Sequence, residues 1–353
     1  MPDEARLASA VLISLTAVWL LTPVARRLAD RTGFYDHPTG YKAHRAPTAY
    51  LGGVAVMAGF VLSVVAVGQN LSRWWPILAC AVALMALGTL DDRLTVRPGY
   101  RLAGEVAAAV VLWHFDLGWT FLDSDLERLI LTCAWVVGFT NAFNLMDNMD
   151  GAASIVAAVC AAGIAAQALV VGDAVEVALI ALALAGSCLG FLPHNLRRKA
   201  PARIFLGDGG SLPIGFIVAA LAMNIPGYDS LGWPVLLVAA LLLGVPVLDT
   251  LLVVVSRTRR GVSIVTAGRD HLTHRLRARL PSPGAVAAAL AVTQAAVVLV
   301  TIGAAQMGRT STIVVATACL ALGAAIVVVL DSPAWTARGR RLAGYEACDE
   351  SEA

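Results

Sequence analysis

The sequence predicts an all-α polytopic integral membrane protein of about eleven transmembrane helices, N-terminus outside and C-terminus cytoplasmic. Three observations carry this. Hydrophobic residues make up 58% of the 353-residue chain and charged residues only 14%, against roughly 45–50% and about 25% in soluble domains. Apolar runs long enough to span recur along the chain, at about 20 residues each. The basic residues also fall on one side: if successive spans alternate, 22 of the 26 Lys and Arg lie in one set of loops, which the positive-inside rule assigns to the cytoplasm.

In order, the spans fall near residues 7–28, 50–69, 75–90, 101–117, 127–143, 151–171, 174–193, 210–225, 232–255, 284–307 and 311–330. The first lacks a basic n-region before it and reads as a retained helix rather than a cleaved leader. Residues 1–335 form a single transmembrane catalytic domain whose site is built from cytoplasmic loops, and 336–353 form a disordered cytoplasmic tail. Five of the six cysteines lie in apolar runs and none forms a CxxC pair, so neither a disulfide framework nor a zinc knuckle is indicated.

Chemistry-bearing residues cluster in the inner loops. The first loop carries Lys42 and His44 and leads to Gly52-Gly53; cations beside a glycine pair suit an anionic ligand, although basic inner loops are also the default for topology. Next come Asp91 and Asp92, adjacent carboxylates that suit a divalent metal or a base-requiring substrate, or equally a solvated helix end. Arg97 and Arg101 add positive charge nearby, and Glu105, a turn deeper, requires a partner within the bundle.

Asn141, Asn144, Asp147 and Asp150 recur every third residue up to Gly151, between two apolar segments. On a helix that spacing makes a stripe able to share one ligand, and amide and carboxylate oxygens suit a hard cation such as magnesium. The stretch Phe205-Leu206-Gly207-Asp208-Gly209-Gly210-Ser211 opens span eight. Its glycines allow close backbone approach, and the helix start turns N–H groups toward an anion, so phosphate plus magnesium is economical. Phe205 can stack on a base or simply mark the membrane edge. The last inner loop carries Arg269, Asp270, His271, His274 and Arg275. Its two histidines suit phosphate contact or proton handling better than a metal, and Asp249 in span nine is expected to pair with one of these bases.

In this order and on one side, these motifs resemble the polyprenyl-phosphate N-acetylhexosamine-1-phosphate transferases, over about Asp36 to Leu276. The resemblance implies transfer of a sugar-1-phosphate from a UDP-sugar to polyprenyl (undecaprenyl or decaprenyl) phosphate. UMP leaves, a polyprenyl-diphosphate-sugar forms, and magnesium, or manganese in its place, is the cofactor. It implies that Asp208 and Asn144 hold the metal on the diphosphate and that Asp147, Asp150 and Phe205 meet the uridine and sugar. Asp91 meets the lipid phosphate, with Asp92 supporting it. His271, His274, Arg269 and Arg275 close over the sugar-phosphate, and Lys42, His44, Arg101 and Asn141 complete the substrate contacts.

The run Asp270 to Leu276 resembles the UDP-GlcNAc branch, which initiates O-antigen lipopolysaccharide, teichoic acid or arabinogalactan synthesis at the cytoplasmic face of the bacterial inner membrane. Thr273 and Arg275 stand where that branch usually has histidines, Arg101 where it has Lys, and Tyr41 where it has Arg. The runner-up is the phospho-MurNAc-pentapeptide transferase branch. A secondary transporter fits less well, because its coupling acids would lie near the bilayer midplane. The partners implied are the UDP-sugar, the lipid phosphate and the membrane, with no nucleic acid; a homodimer is compatible.

Overall fold

The computed structural model describes residues 1–36, 47–172, 174–197, 200–226, 232–264, 268–332 and 335. Lys42, His44 and the segment 336–353 lie outside them. The helices are α1 (Asp3–Thr32), α2 (Gly52–Val67), α3 (Leu71–Leu94), α4 (Pro98–His114), α5 (Asp125–Met146), α6 (Ala152–Gly172) and α7 (Val175–Asn195). They continue with α8 (Asp208–Met223), α9 (Pro234–Leu242), α10 (Gly244–Arg260), α11 (Leu272–Arg277), α12 (Pro283–Gln306) and α13 (Arg309–Leu330). A short antiparallel pair, β1 (Tyr35–Asp36) with β2 (Thr48–Ala49), is the strand structure among the described residues.

Seven of these helices are long and apolar enough to cross a membrane, and α9 with α10 would make an eighth. α2 and α8 are shorter but apolar. Each of the eleven expected spans coincides with a helix or, once, with a pair. The ends follow local signals. Proline opens α4, α9 and α12, where a missing N–H costs nothing. Ser124 and Ser282 cap α5 and α12 with their hydroxyls.

α8 is the centre. From Gly209 to Met223 every residue is buried, as expected of a helix apolar all round, and it packs against α3, α5 and α2. α1, α12 and α13 lie at the periphery and present Leu12, Trp19, Val292, Leu299 and Val328 outward. An apolar exterior of this extent suits lipid. At the other end from the acidic motifs, the buried Arg6 joins Asp3 and Glu176 and donates to Val67 O.

Span nine departs from the expected single crossing. α9 and α10 meet at 92° around Leu243. The cause is local: Gly244 weakens the helix, and Pro246 removes a backbone donor. One buried side chain from α12 satisfies the freed groups. Gln294 Oε1 accepts from Val245 N at 2.8 Å, and its Nε2 donates to Leu242 O at 2.9 Å. Broken helices at membrane depth require such internal partners.

Candidate active site

The acidic motifs converge where α3 and α5 end and α4 and α8 begin. Close backbone contact makes this possible. A Cβ on Gly88 would lie 2.2 Å from Asp208 O, and one on Gly53 would lie 2.2 Å from Gly210 N. α2, α3 and α8 therefore meet main chain to main chain. Gly52 N and Gly53 N donate to Phe205 O and Leu206 O at 3.1 and 2.9 Å, while Phe205 N donates to Ala49 O at 2.8 Å. The glycine pair, expected to offer its backbone to a ligand, instead anchors the segment leading into α8.

That segment turns at Gly207, whose φ of 71° suits glycine. The first N–H groups of α8 were expected to face a bound anion; they face Asp92. Its Oδ1 accepts from Asp208 N at 3.0 Å and its Oδ2 from Gly209 N at 3.1 Å. A carboxylate on α3 thus caps α8 and answers its dipole. Asp92 acts on the site through Asp208.

Arg101 is the hub. Its Nη1 lies 3.3 Å from Asp91 Oδ2 and 3.1 Å from Asp208 Oδ2, its Nη2 donates to Asn141 Oδ1 at 3.3 Å, and its Nε lies 3.7 Å from Glu105 Oε1. Asn141 Nδ2 donates to the other Glu105 oxygen, which gives that buried acid its expected partners. Asp91 also accepts from Val96 N at 2.7 Å. Asn144 Nδ2 donates to Asp208 Oδ1 at 2.7 Å and to Ser211 Oγ at 3.1 Å.

The expected four-residue stripe is split. α5 stops at Met146, so Asn141 and Asn144 lie on the helix while Asp147 and Asp150 lie in the turn after it. Gly151 takes φ 77°, and its N–H donates to Asn195 Oδ1 at 2.6 Å. Asn195 Nδ2 donates in turn to Ile204 O at 3.0 Å. One amide at the end of α7 thus ties this turn to the segment that enters α8. Burial, followed by the charges of Asp208, Asp92 and Asp150, raises the Asp147 carboxyl well above its usual range.

This donor set suits a hard cation. The Asp91 and Asp208 carboxylates converge on one guanidinium nitrogen of Arg101, with amides and a hydroxyl beside them. Among the described residues no three His, Cys, Asp or Glu side chains form a ready-made cage. Magnesium typically takes one or two carboxylates and completes its shell with phosphate and water.

The loop between α10 and α12 packs beside the Asp147 turn. Thr273 Oγ1 donates to Asn148 Oδ1 at 2.5 Å. Asp249 lies 3.0 Å from His271 Nδ1 through Oδ2 and accepts from Leu272 N at 2.6 Å through Oδ1, as the sequence led one to expect of a partner for these bases. His271 is buried, whereas His274 remains partly open. Burial, then the nearby His271 and Arg269, lowers the His274 pKa to about 4. Asp270 is gripped by Arg257 through two bonds, at 2.8 and 2.9 Å, and by Arg260 at 2.7 Å. Although burial pushes its carboxyl upward, the bonds and charge of Arg257 pull it down to about 2.

Arg275 is committed elsewhere. It donates to Asp270 O, Ser256 Oγ, Leu330 O and Asp331, bracing the loop against the end of α13. Phe205 stands edge-on to Tyr50 with ring centroids 6.2 Å apart, and Arg269 is exposed. Asn195, Asn148, Ser211 and Gln294 are the positions that sequence reasoning missed. Asn195 carries a faint signal, as a buried amide ending an apolar helix just before a basic loop.

Residues 74–225 match the family described as Glycosyl transferase family 4. The chain is 30% identical, over 77% of its length and 78% of the relative's, to a probable undecaprenyl-phosphate N-acetylglucosaminyl 1-phosphate transferase of Bacillus subtilis. It is 33% identical to a decaprenyl-phosphate N-acetylglucosaminephosphotransferase of Mycobacterium tuberculosis, over 75% of each. A phospho-N-acetylmuramoyl-pentapeptide-transferase of Mycobacterium avium is also 33% identical, over 61% of this chain and 75% of its own. With this coverage, and with the acidic motifs joined in one cluster, the chain belongs to the polyprenyl-phosphate N-acetylglucosamine-1-phosphate transferase family.

Proposed function

We propose that this protein transfers GlcNAc-1-phosphate from UDP-GlcNAc to a polyprenyl phosphate at the cytoplasmic face of the bacterial inner membrane, releasing UMP. The observation that carries this is the cluster in which Arg101 of α4 joins Asp91, Asp208 and Asn141 from three other helices at one end of an apolar bundle. The skewed distribution of Lys and Arg supports that face as cytoplasmic; with the bent α9–α10 pair taken as one crossing and the short α11 left out, the helices are compatible with eleven crossings.

In this reading the lipid phosphate enters beside Asp91 and Arg101, and one of its oxygens attacks the β-phosphorus of the UDP-sugar in line with the departing UMP. A phosphomonoester with a second pKa near ~6 is mostly dianionic at neutral pH, so Asp91 serves placement more than proton removal. Asp208 and Asn144 would hold magnesium, which supplies charge neutralisation at the diphosphate when bound. Arg101 keeps Asp91 and Asp208 in register. Asp147, Asp150 and Phe205 line the nucleotide side, and His274, neutral at physiological pH, offers hydrogen bonds to the sugar-phosphate. Lys42, His44 and Arg269 add positive charge from the loops.

The test incubates membranes carrying the protein with magnesium, polyprenyl phosphate and either UDP-GlcNAc or UDP-MurNAc-pentapeptide. UMP release with UDP-GlcNAc is the expected result, and release with the pentapeptide substrate alone would overturn the choice of sugar. A single-turnover quench without lipid should trap no sugar-phosphate on protein; a covalent adduct would establish a two-step route instead.

A further inference from the structure

Asp249 lies inside an apolar helix, is 2% exposed, and has no part in the mechanism above. An ionisable group so placed is costly unless its partners repay it. Both of its oxygens go to one loop: Oδ2 to His271 Nδ1 and Oδ1 to the Leu272 N–H that opens α11. His271 is itself 4% exposed. With Nδ1 held by a carboxylate, the ring is fixed in orientation, with its Nδ1 side carrying the proton. One residue past Leu272, the Thr273 hydroxyl donates to Asn148, the neighbour of Asp147. Thr273 stands where the resemblance leads one to expect a histidine, so its hydroxyl ties down a position that would otherwise carry a free imidazole. α11 is therefore pinned at two points, from α10 on one side and from the turn after α5 on the other.

We infer that Asp249 and Asn148 are positioning residues that hold the His271–His274 turn against the Asp147 side of the site, Asp249 through His271 and Leu272 and Asn148 through Thr273. The inference rests on the transfer reaction proposed above. It assigns neither residue to the reacting atoms. What they set is where His274, the more open of the two imidazoles, stands relative to the sugar-phosphate.

The experiment uses the full chain in detergent or nanodiscs, comparing the unsubstituted protein with Asp249→Asn, Thr273→Val, Thr273→Ser, Asn148→Ala and the Thr273→Val/Asn148→Ala pair. Asp249→Asn keeps shape and one acceptor but must turn an N–H toward His271 or lose that contact. It is expected to lower kcat by about tenfold or more while leaving KM for the lipid phosphate unchanged. Thr273→Val should raise KM for the UDP-sugar about fivefold, Thr273→Ser should restore it, and the double variant should be no worse than either single one. Trypsin cleavage after the exposed Arg277, measured without substrate, should quicken in Asp249→Asn and Thr273→Val.

Unchanged cleavage in those variants would overturn the two-point pinning. Faster cleavage with unchanged kinetics would reduce the contacts to structural ones and overturn the positioning role. Additive effects in the double variant would break the Asn148–Thr273 link. Absence of UMP release by the unsubstituted protein would instead sink the functional reading, and the cleavage comparison would still decide the contacts.

Discussion

Two regions of the site are built by different means. The Asp208 region is a seam of main chain: Gly53, Gly88 and Gly209 let three helices touch, and a single carboxylate caps the helix that carries Asp208. The His271 region is held by side chains, namely Asp249, Asn148 and the Arg257–Asp270 pair, that reach in from α10 and from the turn after α5. The first has no slack, because backbone cannot rearrange without moving a whole helix. The second can loosen one bond at a time. The part around Asp208 is thus rigid, and the part around His271 is adjustable.

Gly88→Ala tests that rigidity most severely. The added methyl would meet Asp208 O at 2.2 Å, so α3 and α8 must separate. Overpacking of this kind costs about 1–3 kcal/mol, and the displacement of Asp208 should abolish measurable UMP release. Gly138→Ala in α5, where the methyl meets nothing within 4 Å, is the control and should retain activity and thermal stability. Equal behaviour of the two variants would remove the distinction between the regions.

A smaller effect is expected at Asp92. Asp92→Ala deletes the cap on α8 and should lower stability by about 1 kcal/mol, with UMP release falling by one to two orders of magnitude because Asp208 is no longer fixed. Asp92→Asn retains an acceptor and should recover much of both. A complete loss in Asp92→Asn, with normal thermal unfolding, would give Asp92 a direct catalytic role.

The mildest prediction concerns pH and separates the regions by condition. Asp270 has a folded pKa of about 2, below the ordinary value of about 3.9. Its contribution is present above the ordinary value and is lost as pH falls toward the folded one. His274 is depressed to about 4, so between that value and roughly 6.5 the unfolded chain binds the extra proton and stability falls with acidity. The thermal unfolding temperature should therefore begin to fall below about pH 6.5 and fall further below pH 4, while kcat stays free of a His274 titration from pH 6.5 to 8. A histidine-like inflection in kcat that vanishes in His274→Gln would contradict this.

The same contrast explains what could be read without coordinates. Asp91, Asn144 and Asp208 lie in short runs whose residue types name their chemistry, and apolar length with basic asymmetry places those runs together. The partnership of Asp92 with α8 was not legible, because the free N–H groups of a helix start look alike whether a substrate or a protein carboxylate will meet them. The break between α9 and α10 was legible only as Gly244 and Pro246 in an apolar run, a pattern that many straight helices tolerate. Asp147 and Asp150 kept the period of the helix and left it anyway, because Asn195, 44 residues beyond Gly151, holds that glycine in a turn.

The amide of Gln294 gives the right-angled bend a particular mechanical character. A helix break with open backbone valences behaves as a hinge, free to swing as neighbours move. Here Val245 N and Leu242 O are both closed by one side chain of α12, so the bend is a bracket. α10 and α12 should then shift as one piece under lateral pressure or changes in bilayer thickness, carrying Asp249 and the loop it anchors with them. Lipid composition would reach the His271 region through that bracket, while the glycine seam around Asp208, which it does not touch, would not feel it.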